Sequence, residues 1–186
     1  MTTTYAPLEQ FIHDMTDLTT SQDPRSEQEL AETTGALLQT LIERPDILPD
    51  EFMHAPMGEN SRGRYILHRC PTFTISSIVW APGELAEPHN HETWGAIGLV
   101  SNAIEERRYE EIESNRIRPL EHHTWGHGAV SLLIPDDDIH SMHNLTKQET
   151  VEIHVYGKDL TGLQRKRWSL DGEDMKEFAS GKYANC

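Results

Sequence analysis

The residues best suited to chemistry in this 186-residue chain sit in one stretch, Gly83-Glu84-Leu85-Ala86-Glu87-Pro88-His89-Asn90-His91-Glu92-Thr93-Trp94. Residues two apart on an extended strand project from the same face, so His89 and His91 can reach one metal ion. That is half a metal site. A bare His-x-His pair is also met as two solvated or core histidines. The flanking pattern supplies a means of positioning: the β-type run 72–80 leads in, Ala81-Pro82-Gly83 reads as a turn, and Trp94 to Val100 leads out. A β-hairpin is therefore expected to carry the pair.

A second constellation, Pro135-x-Asp137-x-x-His140-x-x-x-Asn144, lies further along the chain. Gly83, five residues and His89-x-His91 resemble the first motif of the cupins. The Pro135–Asn144 stretch resembles their second, with Asp137 where that family usually has glycine. The resemblance implies a double-stranded β-helix (jelly-roll) barrel and a metal held by His89, His91 and His140. The glutamate that many cupins place after the second histidine would fall at Gly95 or Ala96, so the implied site has no protein carboxylate.

A third motif, Glu152-Ile153-His154-Val155-Tyr156-Gly157, narrows the likeness. The order His89-x-His91, His140, His154-x-Tyr156 resembles the thiol dioxygenases, the cupin branch that includes cysteine dioxygenase and 3-mercaptopropionate dioxygenase. The likeness runs roughly from Tyr65 to Arg167. It implies a three-histidine Fe(II) site, with a Ser-x-His-x-Tyr triplet beside it. Here Glu152 stands where that serine would be. Positions 152, 154 and 156 alternate, so all three share one strand face. Without the metal motifs, His154 and Tyr156 read equally as half-buried strand residues.

Three neutral imidazoles leave Fe(II) open positions and bring no ligand charge, so a thiolate and O2 can both bind. The metal also lowers the thiol pKa. Tyr156 is then placed to hydrogen-bond oxygen or substrate, with His154 orienting the phenol. Some cysteine dioxygenases crosslink that tyrosine to a cysteine. No cysteine occurs from Pro71 to Asn185, which excludes such a crosslink from the equivalent segment.

The remaining need is an arginine, whose planar fork binds both oxygens of a substrate carboxylate. In the 3-mercaptopropionate branch it follows the His-x-Tyr strand, and Arg165 is the positional match, with Arg167 as fallback. In the cysteine branch it sits on an early strand. Leu67 takes that place here, and Arg62 or Arg64 could compensate. The competing reading of Arg165-Lys166-Arg167 is a basic surface turn. Glu152 has three readings of its own: it raises the proton affinity of His154, pairs with Arg165, or points to solvent.

The rest of the chain must hold these groups in place. Leu8, Phe11, Ile12, Met15 and Leu18 form one apolar stripe at helical spacing, and Leu30, Thr34, Leu37, Leu38, Leu41 and Ile42 form another. Two amphipathic helices are expected, covering one face or end of a sheet. Ser26-x-x-Glu29 signals a capping box for the second, and Arg44-Pro45 stops it. Residues 46–52 allow a short third turn. From about Tyr65 the pattern changes to β-type runs at 65–69, 72–80, 95–101, 103–110, 130–134 and 151–156. Closing them into a barrel removes exposed edges. Glu105 to Glu111 reads as a solvated strand of mixed charge. Glu121-His122-His123-Thr124-Trp125-Gly126-His127-Gly128 reads as a polar loop, with a second metal site as the alternative. The expected organisation is one domain: helices in 1–56, barrel core in 65–168 and a C-terminal tail in 169–186.

Composition bounds the partners. With 16 Lys+Arg against 31 Asp+Glu, the formal charge of −15 opposes binding to nucleic acid and to anionic membranes. The start, Met1-Thr-Thr-Thr-Tyr-Ala-Pro, has neither a basic segment nor an apolar run, and no stretch of 18 apolar residues occurs. A soluble, cytoplasmic monomer or small homo-oligomer is expected. Cys70 and Cys186 suggest neither a disulfide framework nor a zinc ribbon and are expected as free thiols. Two functional classes follow: an Fe(II) thiol dioxygenase acting on a small mercapto-acid (3-mercaptopropionate-like or cysteine) with O2, or a cupin of another kind, either a metal-dependent oxygenase or isomerase or a non-catalytic binder of a small ligand.

Overall fold

The computed structural model describes residues 5–56 and 62–185. Cys186 and the first four residues lie outside the described residues, and Cys70 is a free thiol. Two helices open the chain, α1 (Ala6–Thr20) and α2 (Glu27–Ile42). Pro7 starts the first without losing a helical hydrogen bond. Ser26 and Glu29 close the expected capping box on the second. Asp50–Phe52 adds a single 3-10 turn.

Among the described residues eleven strands follow: β1 (Gly63–Arg69), β2 (Thr74–Trp80), β3 (Leu85–His89), β4 (Gly95–Ser101), β5 (Ala103–Ile112), β6 (Arg116–Gly126), β7 (Val130–Leu133), β8 (His140–His143), β9 (Thr150–Tyr156), β10 (Gln164–Trp168) and β11 (Met175–Ala179). They form two antiparallel sheets, in the orders β1-β2-β9-β4-β7 and β11-β10-β3-β8-β5-β6. Within these the pairs β2·β9, β3·β8, β4·β7 and β5·β6 nest one inside the next. A long antiparallel ribbon folded over on itself produces that nesting, which is the double-stranded β-helix expected from the motifs.

Strand β9 shows how the layers are built. Val151, Ile153 and Val155 point outward into a core shared with Phe11, Met15, Leu38 and Ile42 of the helices. Glu152, His154 and Tyr156 point inward, because side chains alternate along a strand. Gly98 on β4 lets α2 approach: a Cβ there would lie 2.8 Å from Cγ of Leu38. The helices therefore cover one sheet, as their apolar stripes predict, while the interior of the barrel holds polar groups together with smaller apolar clusters around Trp80 and Leu133.

Three expectations about elements need correction. No hairpin carries the His-x-His pair. β2 and β4 both flank β9 in one sheet, while β3, between them in sequence, belongs to the other. The jelly-roll ribbon crosses between sheets at each turn, which short-range pattern does not reveal. Glu121–Gly126 is not a loop but the end of β6, which pairs along the length of β5. Residues 169–186 are not a plain tail, since β11 pairs with β10 and extends the six-stranded sheet past His89. Among the described residues, no helix is long and apolar enough to cross a membrane.

Candidate metal centre

His89 ends β3, His91 lies two residues beyond it, and His140 opens β8, the neighbour of β3. Their rings approach one another with centroids 4.9–5.0 Å apart. One ligand nitrogen from each lies within 4.8 Å of the others, the one such grouping among the described residues. Each Nδ1 already has an acceptor. That of His89 donates to the Glu87 carbonyl (2.8 Å), that of His91 to Asp138 (3.2 Å), and that of His140 to Glu106 (2.7 Å). This fixes the tautomer and leaves the three Nε2 lone pairs for a shared ion. Burial holds His89 and His91 well below the usual histidine range, with the neighbouring histidines and Arg165 acting in the same sense. Imidazole nitrogens converging in this way suit a divalent transition metal.

The two supporting carboxylates were not legible as such. Glu106 lies in the run expected to be solvated, yet it is wholly buried. Burial opposes its charge, but His140, Arg108 and Trp125 outweigh that and hold its pKa at about 2. Its strand parity with buried Ile104 was the available signal. Asp138, adjacent to the Asp137 of the motif, accepts from both the backbone N–H and the ring of His91. Burial raises its pKa to about 6 despite that backbone bond. Carboxylates are thus absent from the converging lone pairs but present one layer behind them.

The position where a glutamate ligand would fall is closed. A Cβ on Gly95 would lie 2.9 Å from Cδ1 of Tyr156 and 2.9 Å from the Val155 carbonyl. The tyrosine ring fills that space and stacks on His91, centroids 5.4 Å apart and 18° from parallel. Ala96 faces the helix-side core instead.

Glu152, His154 and Tyr156 form a buried chain, as their alternation predicts. The Glu152 carboxylate accepts from Trp80 Nε1 (2.6 Å) and from His154 Nε2 (2.9 Å), and His154 Nδ1 meets the Tyr156 hydroxyl at 2.6 Å. Glu152 therefore neither points to solvent nor pairs with Arg165. It does favour a proton on His154, but burial is the larger influence and leaves His154 below its ordinary value. Burial likewise pushes the Tyr156 phenol up.

His89, His91, His140, His154 and Tyr156 face one cavity of ≈ 480 Å³, which Arg62, Arg64, Arg165 and Arg167 also line. Arg165 is not on a surface turn. It is 5% exposed, lies 4.5 Å over the ring of Phe178, and donates to the Asn90 carbonyl (2.7 Å) and to Ser180 Oγ. Its Nε has no partner among the described residues. Arg167 stays at the rim beside Glu87, at 3.4 Å. Leu67 packs toward the helices, away from the cavity. Phe178, Ser180 and Tyr183, in the segment expected to be a tail, form part of the cavity wall. His122 and His123 project from opposite faces of β6 and pair with Glu105 (2.9 Å) and Glu121 (3.0 Å), away from the three-histidine cluster, and His127 donates to the Val100 carbonyl.

No protein-family model matches the chain. Its fold is similar to that of a cupin superfamily protein from Desulfitobacterium hafniense DCB-2, at 17% identity and TM-score 0.47 over 63% of this chain and 93% of that one. The Cupin_2 domain of an XRE family transcriptional regulator from Enterobacter cloacae superposes at 18% identity and TM-score 0.41, over 53% of this chain and 97% of that one. An oxalate oxidase in complex with the substrate analogue glycolate superposes at 15% identity and TM-score 0.46, over 57% of this chain. The match spans about half (55%) of that enzyme's own length.

Proposed function

We propose that this protein is an Fe(II)-dependent thiol dioxygenase, adding both atoms of O2 to the sulfur of a small mercapto-acid to give the sulfinic acid. The observation that carries this reading is the buried Glu152–His154–Tyr156 chain, whose His154 and Tyr156 line the same cavity as three histidines whose Nδ1 atoms are all engaged. His89, His91 and His140 would hold the ion through Nε2. When bound, iron supplies the positions at which thiolate and O2 meet.

The chain's own residues account for the proton and the carboxylate. Glu152 can only accept, so His154 keeps its proton on Nε2 and its Nδ1 accepts the Tyr156 hydroxyl. The phenol oxygen then offers a lone pair to the cavity. As a thiol loses its proton to that oxygen, the phenol proton passes to Nδ1, and the resulting imidazolium faces the Glu152 carboxylate. Tyr156 is thereby left with a hydroxyl proton to donate toward oxygen or sulfur. Arg165, fixed by Asn90 and Ser180 in the cavity wall, would orient a substrate carboxylate.

The test is anaerobic Fe(II) loading, followed by O2 uptake with cysteine, 3-mercaptopropionate, cysteamine and mercaptosuccinate and mass detection of the sulfinate. Uptake is expected with the carboxylated thiols. Loaded protein that consumes no O2 with any of them would overturn the assignment in favour of another metal-dependent activity.

A further inference from the structure

The charges lining the cavity do not balance around a substrate with one acidic group. Arg167 is set against Glu87, and Arg62 donates through Nε to Glu84 at 2.9 Å. Glu152 is spoken for by Trp80 and His154. Among the described residues, neither Arg64 nor Arg165 has an ion-pair partner. Arg64 gives one nitrogen to the Gly181 carbonyl (3.0 Å), and Arg165 keeps a buried Nε with no partner at all. The two come from different walls, β1 and β10, so a single carboxylate need not satisfy both. Arg62 lies flat over Trp80, its Cζ 3.7 Å from the ring centroid, next to Arg64 in the β1 segment. Burial disfavours the charge on Arg62 and Arg165, and proximity to Arg64 works against both. Uncompensated guanidinium groups in a half-closed cavity are costly unless an anion arrives. Room is not limiting either: at roughly 30 Å³ per water-sized group, the ≈ 480 Å³ available exceeds what a three-carbon acid fills.

We propose that this cavity takes a ligand with two acidic groups, one carboxylate on Arg165 and a second on Arg64 with Arg62 beside it. Resting on the activity proposed above, a small thiol dicarboxylate is the substrate favoured over the thiol monocarboxylates. The second clamp acts on affinity and orientation, since the oxidised sulfur is reached from the histidine side.

Calorimetric titration of the purified full chain with succinate and with propionate, in the absence of thiol, tests the charge requirement apart from turnover. Succinate is expected to bind at least tenfold more tightly than propionate. Arg64→Met should erase that ratio while leaving propionate binding in place, with Arg64→Lys restoring part of it. Arg165→Met should weaken both acids. A ratio near one in the parent protein overturns the proposal whatever the variants do, and so does a ratio left intact in a folded Arg64→Met. Because neither O2 nor a thiol is present, a dianion preference can stand while the oxygenase reading fails, and the reverse.

Discussion

The α-carbon of Gly95 faces the ring of Tyr156 so closely that a single added methyl group would stand 2.9 Å from its Cδ1. Glycine at this position and tyrosine directly opposite it on β9 are one design, since the phenol occupies the volume a carboxylate ligand would need. Gly95→Ala should therefore displace the Tyr156 ring from His91. We expect O2 uptake to fall by ~100-fold or more, on the scale of losing one positioned hydrogen-bonding group, with iron content unchanged. Iron lost together with activity would show that the contact supports the histidines rather than the phenol.

Tyr156→Phe keeps the ring in that volume and removes only the hydroxyl. Iron should be retained and the thiol oxidised poorly. Turnover equal to the parent would remove the hydroxyl from the mechanism.

Glu106 bonds His140 Nδ1 and also pairs with Arg108 Nε at 3.1 Å. Glu106→Gln should lower metal affinity by about 10–100-fold, as is usual when the partner of a metal-binding histidine is changed. Competition with a chelator measures this directly. His140→Ala should lose most of the iron, and iron unchanged in that variant would exclude the three-histidine assignment.

Glu152→Ser replaces a carboxylate by a hydroxyl 2.9 Å from His154 Nε2. The carboxylate raises the proton affinity of His154, so removing it should lower that affinity and move the pH profile of turnover to lower pH, with substrate preference unchanged. Preference shifting without a change in the profile would contradict the hydrogen bond to His154.

Without metal, stability should depend on pH through His89 and His91, whose proton affinities burial drives well below the ordinary 6.5. The unfolded chain takes up protons below pH 6.5 that the native state refuses, so stability falls as pH falls. Asp138 acts in the opposite sense: its native pKa of about 6, against an ordinary 3.8, lets the native state bind a proton first. Two histidines against one aspartate leave the net direction downward. Melting of the metal-free protein between pH 7 and 5 should show it, and His91→Phe should flatten the curve.

Much of this protein is determined by local pattern. The stripes from Leu8 to Leu18 and from Leu30 to Ile42 are helical because only that period gathers them on one face. The Ser26–Glu29 box marks the start of α2 from its own side chains. The inward placement of Glu152, His154 and Tyr156 follows from strand alternation alone. What the tertiary structure decided is which strands become neighbours. The jelly-roll crossing moves His89 into the sheet opposite β2 and β4 and brings β8 beside β3, so that His140 meets His89 and His91 across a separation no local period encodes. The same crossing buries Glu106 inside a run of charges that reads as solvated, and folds residues 175–179 back as a wall beside Arg165. Burial of a charged side chain depends on what packs over it, and for Glu106 that is His140, Arg108, Trp125 and Ser131, drawn from three other strands and from two residues further along its own.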